Sequence, residues 1–256
     1  MPKIISIHSF RGGTGKSNTT ANIAAILAIG GKRVGVIDTD IQAPGIHVLF
    51  GVTGKEIEYS LNDYLQGHCD IVQAAHDVTA NLSDGQLDDG HTARVFMIPS
   101  SMQADKIVDV LREGYDMNVL VEGLRQLIRE LDLDVLLIDT HPGLNEETLF
   151  SIAISHTMLV VMRPDQQDYE GTAITIEVAR ALGVPRMMIA VNKTPPALDF
   201  SDVQAQVEQS YDCKVAAVLP HSDEMMQLAS KGIFVLHYPD HPLTERLKAL
   251  VAMLME

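Results

Sequence analysis

A glycine-rich stretch near the start of the chain carries a lysine and a hydroxyl residue at a spacing that suits phosphate binding. The sequence FRGGTGKS occupies residues 10–17, and its three glycines precede Lys16 and Ser17. Glycines let successive backbone N–H groups point at an anion with no Cβ in the way. A lysine beside them can reach the β- and γ-phosphates of a nucleotide, and a serine hydroxyl can bind Mg²⁺.

The residues around this stretch give it the context of a phosphate loop. The apolar run IISIHSF precedes the glycines and predicts a strand, and a helical pattern begins at Lys16. The N-terminus of that helix adds partial positive charge next to the phosphates. An ordinary glycine turn between a strand and a helix is the alternative, but such a turn needs neither the lysine nor the serine.

One residue departs from the usual G-x-x-x-x-G-K-[ST] pattern. Phe10 stands where that pattern has glycine, and Arg11 follows it. The sequence RGGTGKS resembles the deviant Walker A motif, KGG-x-G-K-[ST], of the MinD/ParA ATPases. In that family the residue at position 10 varies, and the signature lysine before Gly-Gly corresponds to Arg11.

The resemblance implies a role for Arg11 at the interface between two subunits. In the family two subunits enclose two ATP molecules, and the signature lysine reaches the partner's phosphates. Arginine keeps the positive charge and offers a planar fork of donors, so it can act in trans as an arginine finger. Arginine is also larger than lysine. Three outcomes for ATP hydrolysis are therefore open: the rate is preserved, retuned or impaired. The alternative is a solvent-facing side chain.

Carboxylates follow two further apolar runs. Asp38 and Asp40 end the run VGVIDTD, and in the family the second aspartate of this switch I segment helps to position the attacking water and the magnesium shell. That role carries over to Asp40, with a supporting part for Asp38; helix capping or a turn is the alternative for both. Asp139 ends VLLID as a Walker B aspartate would, holding Mg²⁺ through water. His141 replaces the first proline of the family's D-x-P-P-G, and it is either a contact near the γ-phosphate or a loop residue without catalytic weight.

The nucleotide base is predicted from two late segments. Asn192-Lys193 begins like the N-K-x-D motif of GTPases, but Pro195 replaces the aspartate that accepts from guanine, which favours adenine. The family places an asparagine against the adenine amino group, and Asn192 matches it. The segment 219–232 resembles the family's loop over the base, with Pro220 and His221 as candidates.

The resemblance therefore implies a complete nucleotide site for ATP or ADP with Mg²⁺. Lys16, Arg11 and Asp40 form its catalytic set, and Ser17, Asp40 and Asp139 form its Mg²⁺ set. The predicted nucleotide-binding residues are Arg11, Gly12, Gly13, Thr14, Gly15, Lys16, Ser17, Asn18, Asn192, Pro220 and His221.

The elements that must position these residues alternate along the chain. Nearly continuous apolar runs predict strands buried on both faces, at 3–10, 33–40, 94–100, 134–140, 157–164, 186–193 and 214–220. Helical patterns lie between them, and two end at glycines, Gly30-Gly31 and Gly183. Strands alternating with helices predict a three-layer α/β fold, a mostly parallel twisted sheet flanked by helices, in a single domain over 1–256.

Composition limits the class of protein. The chain has 256 residues, 46% of them hydrophobic, and a formal net charge of −15. Two distant cysteines, Cys69 and Cys213, form no disulfide framework, so a reduced, cytoplasmic setting is expected. We see neither a secretory signal nor an apolar run long enough to span a bilayer. The least regular segment, 67–91, contains Asp and His residues and is either a metal or partner site or a solvated insertion.

Neither a membrane-binding nor a DNA-binding surface is evident, although both occur among relatives. The last helical pattern has an apolar stripe, but its only basic residues are Arg246 and Lys248, which favours core packing over docking on lipid. From Arg163 to Glu256 eight Lys and Arg face 13 Asp and Glu, which gives no support for DNA binding. An adaptor protein can supply the location instead.

The leading hypothesis is a Mg²⁺-dependent ATPase of the MinD/ParA class, slow without a partner. ATP would close a homodimer, hydrolysis would open it, and an activating or adaptor protein would couple this switch to the positioning or partitioning of a cellular cargo. The alternative is a nucleotide-gated scaffold with little hydrolysis. An iron–sulfur reductase is disfavoured because no cysteine lies near Asp139, and a tyrosine kinase because the chain lacks a terminal tyrosine cluster.

Overall fold

The predicted parallel sheet is present in the computed structural model, which describes residues 2–54, 56–82 and 93–256. Within these ranges one sheet of eight strands has the order β3-β4-β2-β5-β1-β6-β7-β8. Every neighbouring pair is parallel except β3 with β4. The strands are β1 (Lys3–His8), β2 (Arg33–Asp38), β3 (His76–Asp77), β4 (Arg94–Ile98), β5 (Val135–Asp139), β6 (Thr157–Met162), β7 (Met187–Thr194) and β8 (Lys214–Pro220).

Helices cover both faces of the sheet. They are α1 (Lys16–Ile29), α2 (Leu61–Leu65), α3 (Ala104–Glu113), α4 (Met117–Glu130), α5 (Glu146–Ala153), α6 (Gln166–Ala181), α7 (Phe200–Tyr211), α8 (Asp223–Leu228), α9 (Phe234–His237) and α10 (Pro242–Met255). Two 3₁₀ helices span Ile46–Phe50 and Thr79–Leu82. The predicted helix ends are confirmed: α1 stops before Gly30-Gly31, and Gly183, just after α6, has a φ of 75°.

The alternation of side chains along each strand divides the core between the two faces. Val135 and Leu137 of β5 pack in the same cluster as α1 and α10, whereas Leu136 and Ile138 pack in the cluster that contains α4. A third cluster joins β6 and β7 to α6 and α7. All five residues of β5 are buried, as expected for a central parallel strand. The three-layer architecture is thus confirmed.

The segment 67–91 contributes one strand that the sequence did not predict. β3 has only two residues, His76 and Asp77, and pairs antiparallel with Met97 and Phe96 of β4. A pair so short has no detectable alternation, which is why the pattern showed seven strands. Among the residues the structure describes, no group of three or more His, Cys, Asp and Glu could hold a metal ion. Asp84, Asp88, Asp89 and His91 of this segment lie outside those residues.

The last helix packs in the core, as predicted. The apolar stripe of α10 is buried, and its members are Leu243, Leu247, Leu250, Val251 and Leu254. No helix in the described part of the chain is long and apolar enough to span a bilayer. Helices α7 and α10 also flank the edge strand β8: Val215 N donates to Glu208 Oε1 at 3.0 Å, and an Arg246 nitrogen donates to Val218 O at 3.3 Å. Both cysteines are free thiols.

Candidate nucleotide and magnesium site

Three loops that carry predicted site residues leave neighbouring strands at the same edge of the sheet. Strand β5 lies between β1 and β2, and all three are parallel. The loops after them therefore meet at the carboxyl ends, where ligands of open α/β sheets bind. Asp38 and Asp139 are direct neighbours in the register of β2 and β5. This topology brings residues that lie about one hundred positions apart in the sequence into one site.

Two of the three glycines in the loop have backbone conformations that favour glycine. Gly13 and Gly15 have φ angles of 80° and 94°, which lie in the left-handed region. A Cβ at Gly15 would also collide with the side chain of Asn192. Asn192 Nδ2 donates to Thr14 O at 2.8 Å, and Lys193 Nζ donates to Gly13 O at 2.8 Å. These two hydrogen bonds therefore attach the phosphate loop to the carboxyl end of β7.

Lys16, Ser17 and Asp139 come together as predicted. Lys16 Nζ lies 2.9 Å from Asp139 Oδ1, and Ser17 Oγ donates to Asp139 Oδ2 at 2.7 Å. Thr20 adds a third donor, with Oγ1 at 3.0 Å from Asp139 Oδ1. Thr20 lies one helical turn after Lys16, so the i, i+4 spacing was the signal that could have identified it. The buried carboxylate is thus fully paired with the α1 N-terminus.

Asp38 organises the loop that follows β2. Its Oδ1 accepts from Asp40 N at 3.0 Å and its Oδ2 accepts from Gly45 N at 3.1 Å, so one carboxylate holds both ends of the segment. Burial, with the neighbouring charge of Asp139, raises the pKa of Asp38 to about 7. The predicted supporting part of Asp38 has this geometric basis.

His141 contacts the carboxylate of Asp40. The distance from His141 Nδ1 to Asp40 Oδ1 is 2.7 Å, and Ala43 N donates to the same oxygen at 3.0 Å. The Oγ1 of Thr148 donates to His141 O at 3.1 Å and so fixes the histidine backbone against α5. The loops after β2 and β5 are therefore joined by a side-chain hydrogen bond.

A second histidine lies beneath the site. His8, at the end of β1, is fully buried, and its Nδ1 lies 2.8 Å from Thr140 Oγ1. Thr140 Oγ1 donates its proton to Ile7 O at 3.1 Å, so the Nδ1 of His8 carries a proton and donates. Burial, with the charge of Lys16, lowers the pKa of His8 to about 3. His8 is therefore a neutral residue at ordinary pH.

Arg11 lies against the first turn of α6 in its own chain. One guanidinium nitrogen lies 3.0 and 2.9 Å from the two oxygens of Asp165, and Nε lies 3.0 Å from Asp168 Oδ1. A further contact joins Arg11 to Gln167. Arg163 also binds both carboxylates, at 3.1 Å from Asp165 and 3.4 Å from Asp168. Sequence reasoning identified Arg11 but none of these partners, since they come from a loop about 150 residues later.

Phe10, the residue that departs from the common pattern, packs on the same helix. A Cβ at Gly171 would overlap its ring, so the aromatic side chain and the α6 backbone are in close contact. The phenyl ring is 37% exposed. Phe10 and Arg11 together attach the start of the phosphate loop to α6.

Two adjoining cavities contain the predicted nucleotide-binding residues other than Arg11. The first, of about 380 Å³, is lined by the glycine loop, Lys16, Ser17, Asn18, Asp40, Pro142 and Lys193. The second, of about 180 Å³, is lined by Gly15, Asn18, Asn192, Pro220, His221 and residues of α8. Gly15, Asn18 and Lys193 line both. This arrangement suits a phosphate chain in the first cavity and a base in the second.

Comparisons with known proteins show the family to which this chain belongs. The model of the AAA_31 family, an AAA domain, matches residues 2–183. The chain belongs to this family. An uncharacterized ATP-binding protein of Methanocaldococcus jannaschii is 28% identical to this AAA_31 member over 252 residues, covering 98% of the chain and 87% of the relative. The septum site-determining protein MinD of Bacillus subtilis is 26% identical over 241 residues, covering 91% and 81%.

A solved structure gives the same fold. The septum site-determining protein MinD from Pyrococcus horikoshii, complexed with Mg-ADP, superposes on the AAA_31 member with a TM-score of 0.79 at 20% identity. The match covers 99% of this chain and 96% of the other. The predicted membership of the MinD/ParA P-loop ATPases and the predicted fold class are thereby confirmed.

Proposed function

We propose that this chain is an ATP-dependent dimerisation switch that hydrolyses ATP with Mg²⁺ and positions or partitions a cellular cargo. The observation that carries the proposal is the convergence of Lys16, Ser17 and Asp139 below a phosphate-sized cavity, with Asp40 on its wall. Phosphoryl transfer needs positioning and electrostatic stabilisation more than covalent chemistry, and these side chains supply both. The chain is similar to proteins named for septum-site determination, which supports the positioning role.

The oxygen donors around Asp139 fit a magnesium ion. Mg²⁺ prefers carboxylate, hydroxyl and water oxygens, and Ser17 Oγ lies 2.7 Å from a carboxylate oxygen of Asp139. Ser17 and Asp139 would hold the ion, and Asp40 would hold its water shell. The ion would neutralise charge on the β- and γ-phosphates, while Lys16 would bind the same phosphates directly.

Arg11 would act on the second subunit. For this role its guanidinium must leave Asp165 and Asp168 and turn toward the partner's phosphates. The pairs it would give up are partly solvated on the Asp165 side, where both side chains are more than 30% exposed. Exposed pairs of this kind contribute little to stability, because solvent screens the two charges. Asp168 is buried, and it would keep its contact with Arg163 when Arg11 leaves.

Solution mass and phosphate release test the proposal together. Light scattering with Mg²⁺ and either ATP, ADP or no nucleotide is expected to show a dimer with ATP only. Steady-state phosphate release is expected from the wild type and to be absent from Lys16→Ala. Lys32→Ala is the matched control, because Lys32 directly precedes β2, at the end of the sheet opposite to the phosphate loop, and its Nζ lies 4.0 Å from Asp134 Oδ1. An unchanged mass in all three conditions, with ATP binding present, contradicts the switch.

The nucleotide-gated scaffold remains the second candidate, and the ion pairs of Arg11 favour it. If Arg11 stays with Asp165 and Asp168 when ATP is bound, no group replaces the signature lysine and turnover is negligible. ATP binding without phosphate release, unchanged by Arg11→Lys, is the result expected of a scaffold. Phosphate release that Arg11→Ala abolishes, with ATP affinity retained, is the result expected of the switch. Binding by an adaptor, the cytoplasmic location and the single-domain organisation stay predictions.

A further inference from the structure

We propose that His141 is a positioning residue for ATP hydrolysis, which acts by holding the carboxylate of Asp40 in the orientation that receives the attacking water. The inference rests on the proposed ATPase function. In the sequence DTHPG, His141 replaces the first proline of the family's D-x-P-P-G. The resemblance to the family gives no role for a histidine at this position.

The hydrogen bond between His141 and Asp40 has a defined direction. A carboxylate oxygen accepts, so His141 Nδ1, 2.7 Å from Asp40 Oδ1, must carry the proton and donate it. A charge-assisted hydrogen bond of this kind is stronger than one between neutral groups. The Nδ1–H form of the ring is thereby fixed by its partner.

The two oxygens of the Asp40 carboxylate differ in their hydrogen bonds. Oδ1 receives His141 Nδ1 and also Ala43 N at 3.0 Å. Among the residues that the structure describes, none donates a hydrogen bond to Oδ2. The carboxylate is thus held through one oxygen, and the other is available to accept a hydrogen bond from water. Asp40 lines the phosphate cavity, so the free oxygen belongs to a residue of the cavity wall.

His141 itself does not line the phosphate cavity. Pro142, the next residue, lines the phosphate cavity, whereas His141 is not among the described residues that line it. Its backbone carbonyl is held by Thr148, and its side chain is about a quarter exposed. His141 therefore acts through Asp40 and not on the phosphate.

The consequence for the reaction is a fixed line of attack. In hydrolysis the water oxygen bonds to the γ-phosphorus, and the bond from phosphorus to the bridging oxygen breaks with its electron pair left on ADP. The proton of the water ends on the released phosphate or in solvent. An Asp40 carboxylate that rotated freely would spend less time in the accepting orientation, and orientation is a large part of the rate. Binding of ATP, which depends on the loop and Lys16, would be unaffected.

Kinetics with a double-variant cycle test the inference. His141→Ala is expected to lower kcat by about tenfold with KM within about twofold of wild type, and Asp40→Ala to lower kcat further. His141→Asn keeps an N–H donor near the Nδ1 position and is expected to restore kcat to within about threefold. In the Asp40→Ala background, His141→Ala is expected to have no further effect, since its partner is gone. His68→Ala is the control, because His68 is exposed and, within the described ranges, makes no side-chain hydrogen bond.

A second measurement does not depend on turnover. In nucleotide-free protein with ¹⁵N-labelled histidine, the Nδ1–H of His141 is expected to be visible by NMR and to be lost or shifted in Asp40→Ala. The inference is overturned if His141 lacks that proton, if His141→Asn is as slow as His141→Ala, or if the two losses in kcat multiply in the double variant. If wild type and His68→Ala release no more phosphate than Lys16→Ala, the ATPase function itself fails, and the inference fails with it.

Discussion

The guanidinium of Arg11 binds both oxygens of Asp165, at 2.9 and 3.0 Å, across a sequence distance of 154 residues. Asp165 is at the same time the N-cap of α6, because it accepts from Asp168 N. One carboxylate therefore begins the helix and holds the arginine that the dimer would need.

Asp165→Asn is expected to strengthen ATP-dependent dimerisation. Asparagine is also a good N-cap, so the helix start is retained while the charge that holds Arg11 is lost. The expected change is a dissociation constant of the dimer that is lower by about fivefold or less, because solvent screens the partly exposed pair. Light scattering over a concentration series with ATP and Mg²⁺ measures it. Asp199→Asn is the matched control, since Asp199 caps α7 in the same way without an arginine; equal behaviour of the two variants would contradict the prediction.

Gly171→Ala is expected to disturb the phosphate loop through Phe10. Alanine favours a helix by about 1 kcal/mol over glycine, but its Cβ at this position would overlap the phenyl ring. We expect a net loss of about 1–2 kcal/mol in the free energy of unfolding, because overpacking outweighs propensity. Urea denaturation measures the loss. The double variant Phe10→Ala with Gly171→Ala is expected to recover most of it, and a double variant less stable than either single one would count against the contact.

Acid is expected to destabilise the fold through His8. The pKa of His8 is lowered from 6.5 to about 3, so between these pH values the unfolded chain binds a proton that the folded chain does not. Stability that is present above pH 6.5 is therefore lost as pH falls toward 3, by up to about 1.4 kcal/mol per pH unit from this residue.

His8→Asn tests that expectation. Asparagine keeps a donor for Thr140 Oγ1 but does not titrate, so its unfolding free energy is expected to fall less steeply between pH 6 and pH 4.5. Urea midpoints at several pH values provide the comparison, with His68→Asn as an exposed control. Parallel curves for His8→Asn and wild type would show that His8 does not cause the acid sensitivity.

Asn192→Ala is expected to weaken binding of phosphate groups as well as of the base. Nδ2 of Asn192 holds Thr14 O, and Oδ1 accepts from Lys193 N with a second lone pair left for an adenine amino group. Loss of the amide is expected to reduce affinity for ATP and for inorganic pyrophosphate by about tenfold each, since the loop itself loosens. Titration calorimetry measures both, with the exposed Asn118→Ala as control. A loss confined to ATP would mean that Asn192 contacts only the base.

The fold was predictable from the sequence, and the candidate site was proposed from it, because both depend on local patterns. Continuous apolar runs identify buried parallel strands, and the spacing of Lys16 and Ser17 after the glycines identifies a phosphate loop without knowledge of distant residues. Asp139 was predicted because it ends an apolar strand at a suitable distance after the phosphate loop.

The partners of these residues were not predictable from such patterns. The contacts of Arg11 with Asp165, and of His141 with Asp40, join loops that are over one hundred residues apart. The local sequence around Asp165 does not show whether this aspartate caps a helix or binds an arginine, because one aspartate can do both. Likewise, a histidine in a loop has the same pattern whether it faces solvent or a carboxylate.

Among the described residues, each edge of the sheet has a feature that opposes the pairing of a further strand. On one side β8 has its Val215 N–H taken by Glu208 and its Val218 carbonyl taken by Arg246, and on the other β3 is only two residues long. Edges of this kind resist edge-to-edge pairing, which otherwise leads to aggregates or open-ended fibres. The proposed ATP-dependent dimer would therefore form through the loops at the strand ends and not by joining the sheets of two copies edge to edge.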